Sequence, residues 1–157
     1  MKLADLKDDI LVFDIDGTLT KYDFPEFKVA DKNEWVPLNI KRNVYTDAKP
    51  IHLFDELLES KNSSDLYILS VAFSSFEQNN KLDMLERLFP MFREDNIFFV
   101  AHDQFKVYIL QYLRELYDRE GKEHKRIVLI EDNVNIMSSI ENLRNKRIKC
   151  YLLSDFL

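Results

Sequence analysis

Phe13-Asp14-Ile15-Asp16-Gly17-Thr18-Leu19-Thr20, entered from the apolar run Ile10–Phe13, decides how the rest of the chain is read. A short stretch of Ile, Leu, Val and Phe delivers two aspartates one residue apart, and the chain then breaks at a glycine. Like charges held this close are costly unless a cation or a positive ligand sits between them. The stretch therefore predicts a metal-assisted site at the carboxyl end of a parallel strand, where open α/β sheets place their ligands.

Further apolar runs follow at Leu66 to Leu69, Ile97 to Val100, Ile127 to Ile130 and Ile148 to Leu152. Each is near-continuous rather than alternating, as strands covered on both faces are. Helical patterns lie between them. Ile51, Phe54, Leu57 and Leu58 form one stripe, with Pro50 at its expected start. Phe76, Leu82, Leu85, Leu88 and Phe89 form a second, stopped near Pro90, and Phe105, Ile109, Leu113 and Leu116 a third, ended by Gly121. Ile136, Ile140 and Leu143 form the last. This alternation predicts an α/β/α three-layer sandwich around a mostly parallel, five-stranded, Rossmann-like sheet with right-handed crossovers.

At 157 residues the chain fits one domain, with an expected radius of gyration of roughly 15 Å. Its 28 acidic residues against 22 Lys and Arg give a net charge of −6, which repels nucleic acid and anionic lipid at long range. Cys150 is the only cysteine, so neither an internal disulfide nor a cysteine-based zinc cluster can form. Its apolar surroundings predict a buried structural thiol. No apolar stretch approaches the ~20 residues that cross a bilayer. The charged first nine residues lack a signal-peptide core, and a soluble, cytoplasmic setting is expected. Residues 21–49 make a long connection for such a fold and read as an insertion or flap after the first strand. Within it, Phe27 to Ala30 and Trp35 to Leu38 flank a candidate hairpin turn.

In a parallel sheet the strand ends gather on one edge. The first offers Asp14 and Asp16, the second Ser70, the third is followed by Asp103 and Lys106, and the fourth ends in Glu131-Asp132. Oxygen ligands suit a hard cation such as Mg²⁺, and an ammonium suits a phosphoryl group. Asp103 reads as a helix cap, which puts Lys106 in a first turn, where a cation opposes the helix dipole unless an anion pairs with it. Each residue also has a plain structural reading: a turn cap for the aspartates, a loop hydroxyl for Ser70, an N-cap for Glu131 to Asn133. His102, Lys41, Arg42 and Trp35 could approach a substrate, but capping or exposure is the better reading of His102 and a solvated charge pair that of Lys41 and Arg42, and packing explains Trp35 at least as well.

Taken in order, these motifs resemble the haloacid dehalogenase-like (HAD) superfamily of phosphatases and phosphotransferases. Its Asp-x-Asp-x-Thr motif is present as Asp14-Ile15-Asp16-Gly17-Thr18, its Ser or Thr at a strand end as Ser70, its lysine as Lys106 and its acidic pair as Glu131-Asp132. The resemblance implies a HAD-like fold, with Asp14 as nucleophile, forming an aspartyl-phosphate, and Asp16 as the general acid and base. It implies Mg²⁺ held by Asp14, the Asp16 carbonyl and Asp132, with Glu131 supporting from behind. Ile15, Ser70, Val71 and Lys106 would receive the phosphoryl group. With only Val100 to Asp103 between the third strand and the next helix, and 21–49 too short for a helical cap, the chain resembles minimal-cap members. The expected activity is that of a phosphomonoester hydrolase, on a small phosphorylated metabolite, sugar phosphate or nucleotide. A phosphatase acting on a polynucleotide end or phosphoprotein, and a noncatalytic binding protein retaining the fold, are the alternatives.

Overall fold

The computed structural model describes residues 1–22 and 43–157. Strand β1 (Ile10–Phe13) is completely buried, as its unbroken apolar sequence requires. It is paired in parallel on one side with β4 (Leu66–Val71) and on the other with β6 (Ile127–Glu131). Strand β5 (Ile97–Val100) flanks β4 and β7 (Ile148–Leu152) flanks β6, giving the order β5-β4-β1-β6-β7 with every pairing parallel. The fold is thus a three-layer α/β/α sandwich of Rossmann-like type. The chain builds outward from β1 through β4 to β5, then crosses back to lay β6 on the other side of β1. That reversal opens a crevice beyond the carboxyl ends of β1 and β6, the place where doubly wound sheets bind ligands.

The pleat sends successive side chains to opposite faces. Leu11 and Phe13 of β1 join one core with Leu66, Ile68, Val128 and Ile130, covered by α1 (Asp55–Ser60) and α2 (Ser75–Leu88). Ile10 and Val12 join the other core with Leu69, Ile127, Leu129 and Cys150, covered by α3 (Lys106–Arg119) and α4 (Val134–Glu141). Each fully buried Leu or Ile contributes about 1.5–3 kcal/mol, so these two layers hold the sheet. Cys150 is buried in β7, and its surroundings push its thiol up to about 12.

Three local expectations need correction. Pro50 does not start a helix. It lies in the two-residue strand β3 (Lys49–Pro50), antiparallel to β2 (Thr20–Lys21), and a 3₁₀ turn, His52–Phe54, leads into α1. Phe76 is exposed, and α2 instead buries Glu77, Lys81, Met84 and Leu85. Asp103 is not the N-cap residue of α3; it opens a 3₁₀ turn, Asp103–Phe105, directly before that helix. The 21–49 connection begins and ends in the β2–β3 pairing, while the hairpin expected over 27–38, with Trp35, Lys41 and Arg42, falls outside the described residues. No helix among the described residues is long and apolar enough to cross a membrane.

Candidate active site

Asp14 is the first residue past β1, and its amide extends the ladder by donating to the Ile130 carbonyl at 3.0 Å. Pleat alternation puts it on the face of Ile10 and Val12. Glu131, two residues after Leu129, falls on the same face from β6. On α3 the buried stripe Lys106, Leu110, Leu113 and Tyr117 follows the i, i+4, i+7, i+11 spacing that faces this layer. Lys106 therefore occupies the first position of an otherwise core-facing row, and its ammonium reaches across the end of β1. It donates to Asp14 Oδ1 at 3.0 Å and Glu131 Oε2 at 2.7 Å, with Asp103 Oδ1 at 3.8 Å. Its unusual place at a helix start is explained by those anions. They outweigh the burial that would favour the neutral amine and hold Lys106 protonated.

Asp132 follows Glu131 and opens to solvent. One ligand oxygen from each of Asp14, Glu131 and Asp132 lies within 4.8 Å of the others. Gly17 makes room for this. Its φ is +78°, and a Cβ built there would run into Oδ2 of Asp132. The turn around it is fixed by the Ile15 carbonyl, which accepts from the amides of Thr18, Leu19 and Thr20, and by the Gly17 amide donating to the Thr20 carbonyl at 2.9 Å. The side chain of Ile15 is in the core, so it can offer a substrate its main chain alone. Thr18 Oγ1 is buried without a hydrogen-bond partner among the described residues.

Asp16 turns away from the three-carboxylate group. Its Oδ1 accepts from the Tyr22 hydroxyl and its Oδ2 from Lys81 Nζ at 3.0 Å, while a quarter of its side chain stays exposed at the mouth. Ser70, on the opposite face of the sheet from Asp14, is buried, and its Oγ accepts from Lys81 at 2.8 Å. Lys81 also donates to the Val71 carbonyl at 2.6 Å, lies 3.5 Å from Glu77 Oε1 and sits 5.4 Å from the centre of the Tyr45 ring. Glu77 in turn accepts from the Tyr45 hydroxyl at 2.9 Å and from the Phe73 amide at 3.0 Å. Lys81, Glu77, Tyr22 and Tyr45 form no part of the sequence-derived site. Their signal was nonetheless present: Glu77 and Lys81 lie eight and four residues before Leu85, on the buried row of α2. His102 is exposed beside Phe105, away from any described bond to these groups.

Six carboxyl groups (Asp14, Asp16, Glu77, Asp103, Glu131 and Asp132) thus face two ammonium groups (Lys81 and Lys106) around one crevice among the described residues. The excess negative charge shows in the protonation of the group. Burial raises the Asp14 carboxyl to about 7, with Glu131 and Asp16 adding to the rise and Lys106 opposing it. Asp132, partly withdrawn from water and facing Asp14, rises to about 6. Glu131 is also raised, chiefly by burial. A divalent cation among hard oxygen donors at this spacing would relieve that repulsion, so the residues present fit a Mg²⁺-type ion.

The parallel sheet, its flanking helices and the buried acidic cluster are consistent with a HAD-like fold. No protein-family model and no curated protein matches this chain.

Proposed function

We propose that the chain is a HAD-like, Mg²⁺-dependent phosphomonoester hydrolase working through an aspartyl-phosphate on Asp14. One observation carries this reading: the nucleophile candidate Asp14 shares Lys106 with Glu131 and stands within 4.8 Å of both Glu131 and Asp132 oxygens, at the topological crevice. A bare capping role for the aspartates would not explain a fully buried lysine spent on them.

Asp14, Asp132 and the Asp16 carbonyl would hold the ion, with Glu131 beside them. When bound, it supplies positive charge to the phosphoryl oxygens and lets neighbouring carboxylates ionise together. The chain's residues do the rest. Asp14 attacks phosphorus, the bond from phosphorus to the ester oxygen breaks, and that oxygen takes a proton from the Asp16 carboxyl. Water then attacks the phosphorus of the aspartyl-phosphate while Asp16 accepts its proton. The bond between phosphorus and Asp14 breaks, which restores the carboxylate and releases phosphate. Lys106 orients Asp14 and, with two of its three donors engaged by short bonds, keeps one for a phosphoryl oxygen. Ser70 and the Val71 amide complete the phosphoryl cradle. The substrate is a small phosphorylated metabolite, sugar phosphate or nucleotide.

The test is phosphate release from a panel of nucleotides, sugar phosphates, phosphopeptides and DNA ends, with and without Mg²⁺. Turnover that requires Mg²⁺ and disappears in Asp14→Asn is expected. Turnover confined to polymer ends or phosphopeptides would reject the small substrate. Uniform inactivity would favour a noncatalytic binding protein.

A further inference from the structure

Lys81 has no exposed surface, and Glu77, one turn earlier on α2, is equally buried. Placing ions out of water is costly, whereas the next buried positions of this helix are filled by Met84 and Leu85 at no such cost. Simple packing therefore does not account for the lysine, and its bonds suggest what does. An ammonium has three N–H donors, and here they meet Asp16 Oδ2, Ser70 Oγ and the Val71 carbonyl. Nothing remains with which to touch a substrate. The side chain instead ties the carboxyl end of β4 to the aspartate beyond β1.

The consequences differ for its two side-chain partners. On Asp16, Lys81 holds one carboxylate oxygen and Tyr22 the other, which fixes the plane of the group while a quarter of its side chain stays open at the mouth. On Ser70, Lys81 occupies an acceptor position, and the hydroxyl hydrogen meets no acceptor among the described residues. The hydroxyl is thereby left to donate to an arriving oxygen.

We propose that Lys81 is a positioning residue, aligning Asp16 for proton transfer to the leaving oxygen and aiming the Ser70 hydroxyl at the phosphoryl group. The role rests on the phosphatase reading above. Through the step in which the ester bond breaks and the ester oxygen takes the Asp16 proton, the ammonium keeps all three of its own protons. Misplacing a proton donor by about 1 Å can cost ~10²-fold, and the loss falls on substrates that need the proton.

The experiment compares benzyl phosphate, whose alkoxide must be protonated as it leaves, with p-nitrophenyl phosphate, whose phenolate departs without a proton. Lys81→Met leaves Glu77 beside Asp16 without a cation, so K81M/E77Q, which removes both buried charges, is measured alongside it. With Mg²⁺ and a melting transition retained, kcat/KM, which reports the steps through departure of the leaving group and not the shared hydrolysis of the aspartyl-phosphate, should fall at least about tenfold more on benzyl phosphate than on p-nitrophenyl phosphate. Equal losses of kcat/KM on both esters, or none, would overturn the role. A double variant that does not fold would make Lys81 a determinant of the fold and also overturn it. If the wild type turns over neither ester, the phosphatase reading falls and takes the role with it. An active wild type with an unchanged ratio between the esters removes the role alone.

Discussion

Two buried lysines, one on each side of the sheet, serve the two aspartates of the first motif in different ways. Lys106 descends from α3 onto the face that carries Asp14 and Glu131; Lys81 descends from α2 onto the face that carries Ser70. Lys106 begins a buried row continued by Leu110 and Leu113, Lys81 follows Glu77 on a row continued by Met84 and Leu85, and both lysines hold a carboxylate at 3.0 Å. They differ in what is left over. Lys106 has two short bonds, both to carboxylates, and among the described residues its third N–H has only Asp103 near it, at 3.8 Å and outside hydrogen-bond reach. Lys81 has three, to a carboxylate, a hydroxyl and a carbonyl, and none to spare. A buried cation can act on a substrate only if its neighbours leave a donor free, and by that measure one lysine binds while the other braces.

The most damaging way to break this comparison is Lys106→Met. It strands Asp14 and Glu131 without their shared cation, and losing one partner of a buried pair costs about 3–5 kcal/mol. A urea melt should show that loss, and phosphate release should fall to near the assay floor. A variant melting like the wild type would mean that the pair is not what holds α3 to β1.

Gly17→Ala tests the crevice between the two lysines rather than either of them. The new methyl group must share space with the Asp132 carboxylate at a φ of +78°. Strain of this kind costs of order 1–3 kcal/mol. Displacing Asp132 should weaken Mg²⁺ binding in calorimetry more than it lowers the melting temperature.

The pH response sharpens the claim that charge is in excess on the Lys106 side. Asp14 at about 7 and Asp132 at about 6 hold their protons more tightly folded than unfolded, where Asp titrates near about 3.9. Their contribution to stability is therefore complete below about pH 4 and is lost as pH rises through 6 and 7. Metal binding needs both ionised and runs the other way. Mg²⁺ should raise the melting temperature by a few degrees at pH 8 and by much less at pH 5. An equal shift at both values would place the ion elsewhere.

Tyr22→Phe is the mildest change. It removes the hydroxyl from one Asp16 oxygen and leaves Lys81 on the other, at a cost of about 0.5–1.5 kcal/mol for the bond. A several-fold fall in kcat with KM unchanged is the expected readout.

How legible these features were follows from the same geometry. The sheet could be read because β1, β4 and β6 are almost wholly apolar runs, and covered strands need no polar face; the edge strand β7, with Lys149 inside it, is only partly buried and was carried by Ile148, Cys150, Tyr151 and Leu152. Asp14, Lys106 and Glu131-Asp132 could be read because each sits at the end of such a run or just beyond it. Lys106 was sharpened by its awkward place at a helix start. Lys81 and Glu77 escaped because they lie inside a helix, where a charged residue in a mostly polar sequence is expected to face water. The stripe drawn through Phe76 instead of Glu77 missed the first turn of α2 by one position, about 100°, while Leu85, Leu88 and Phe89 meet the core as read. Tyr22 and Tyr45 escaped because the contacts that matter join the two ends of a long connection, and sequence spacing does not report those. The Pro50 expectation failed because a proline suits a short edge strand as well as a helix start.

The hydrogen bond from the Asp14 amide to the Ile130 carbonyl makes the proposed nucleophile one more rung of the central ladder. With neighbours on both sides of β1 and none of its side chains in water, this backbone should exchange its amide hydrogens only when the whole domain opens. The reacting carboxylate is thus mounted on the slowest-breathing part of the molecule. Deuterium should reach Val12, Phe13 and Asp14 last.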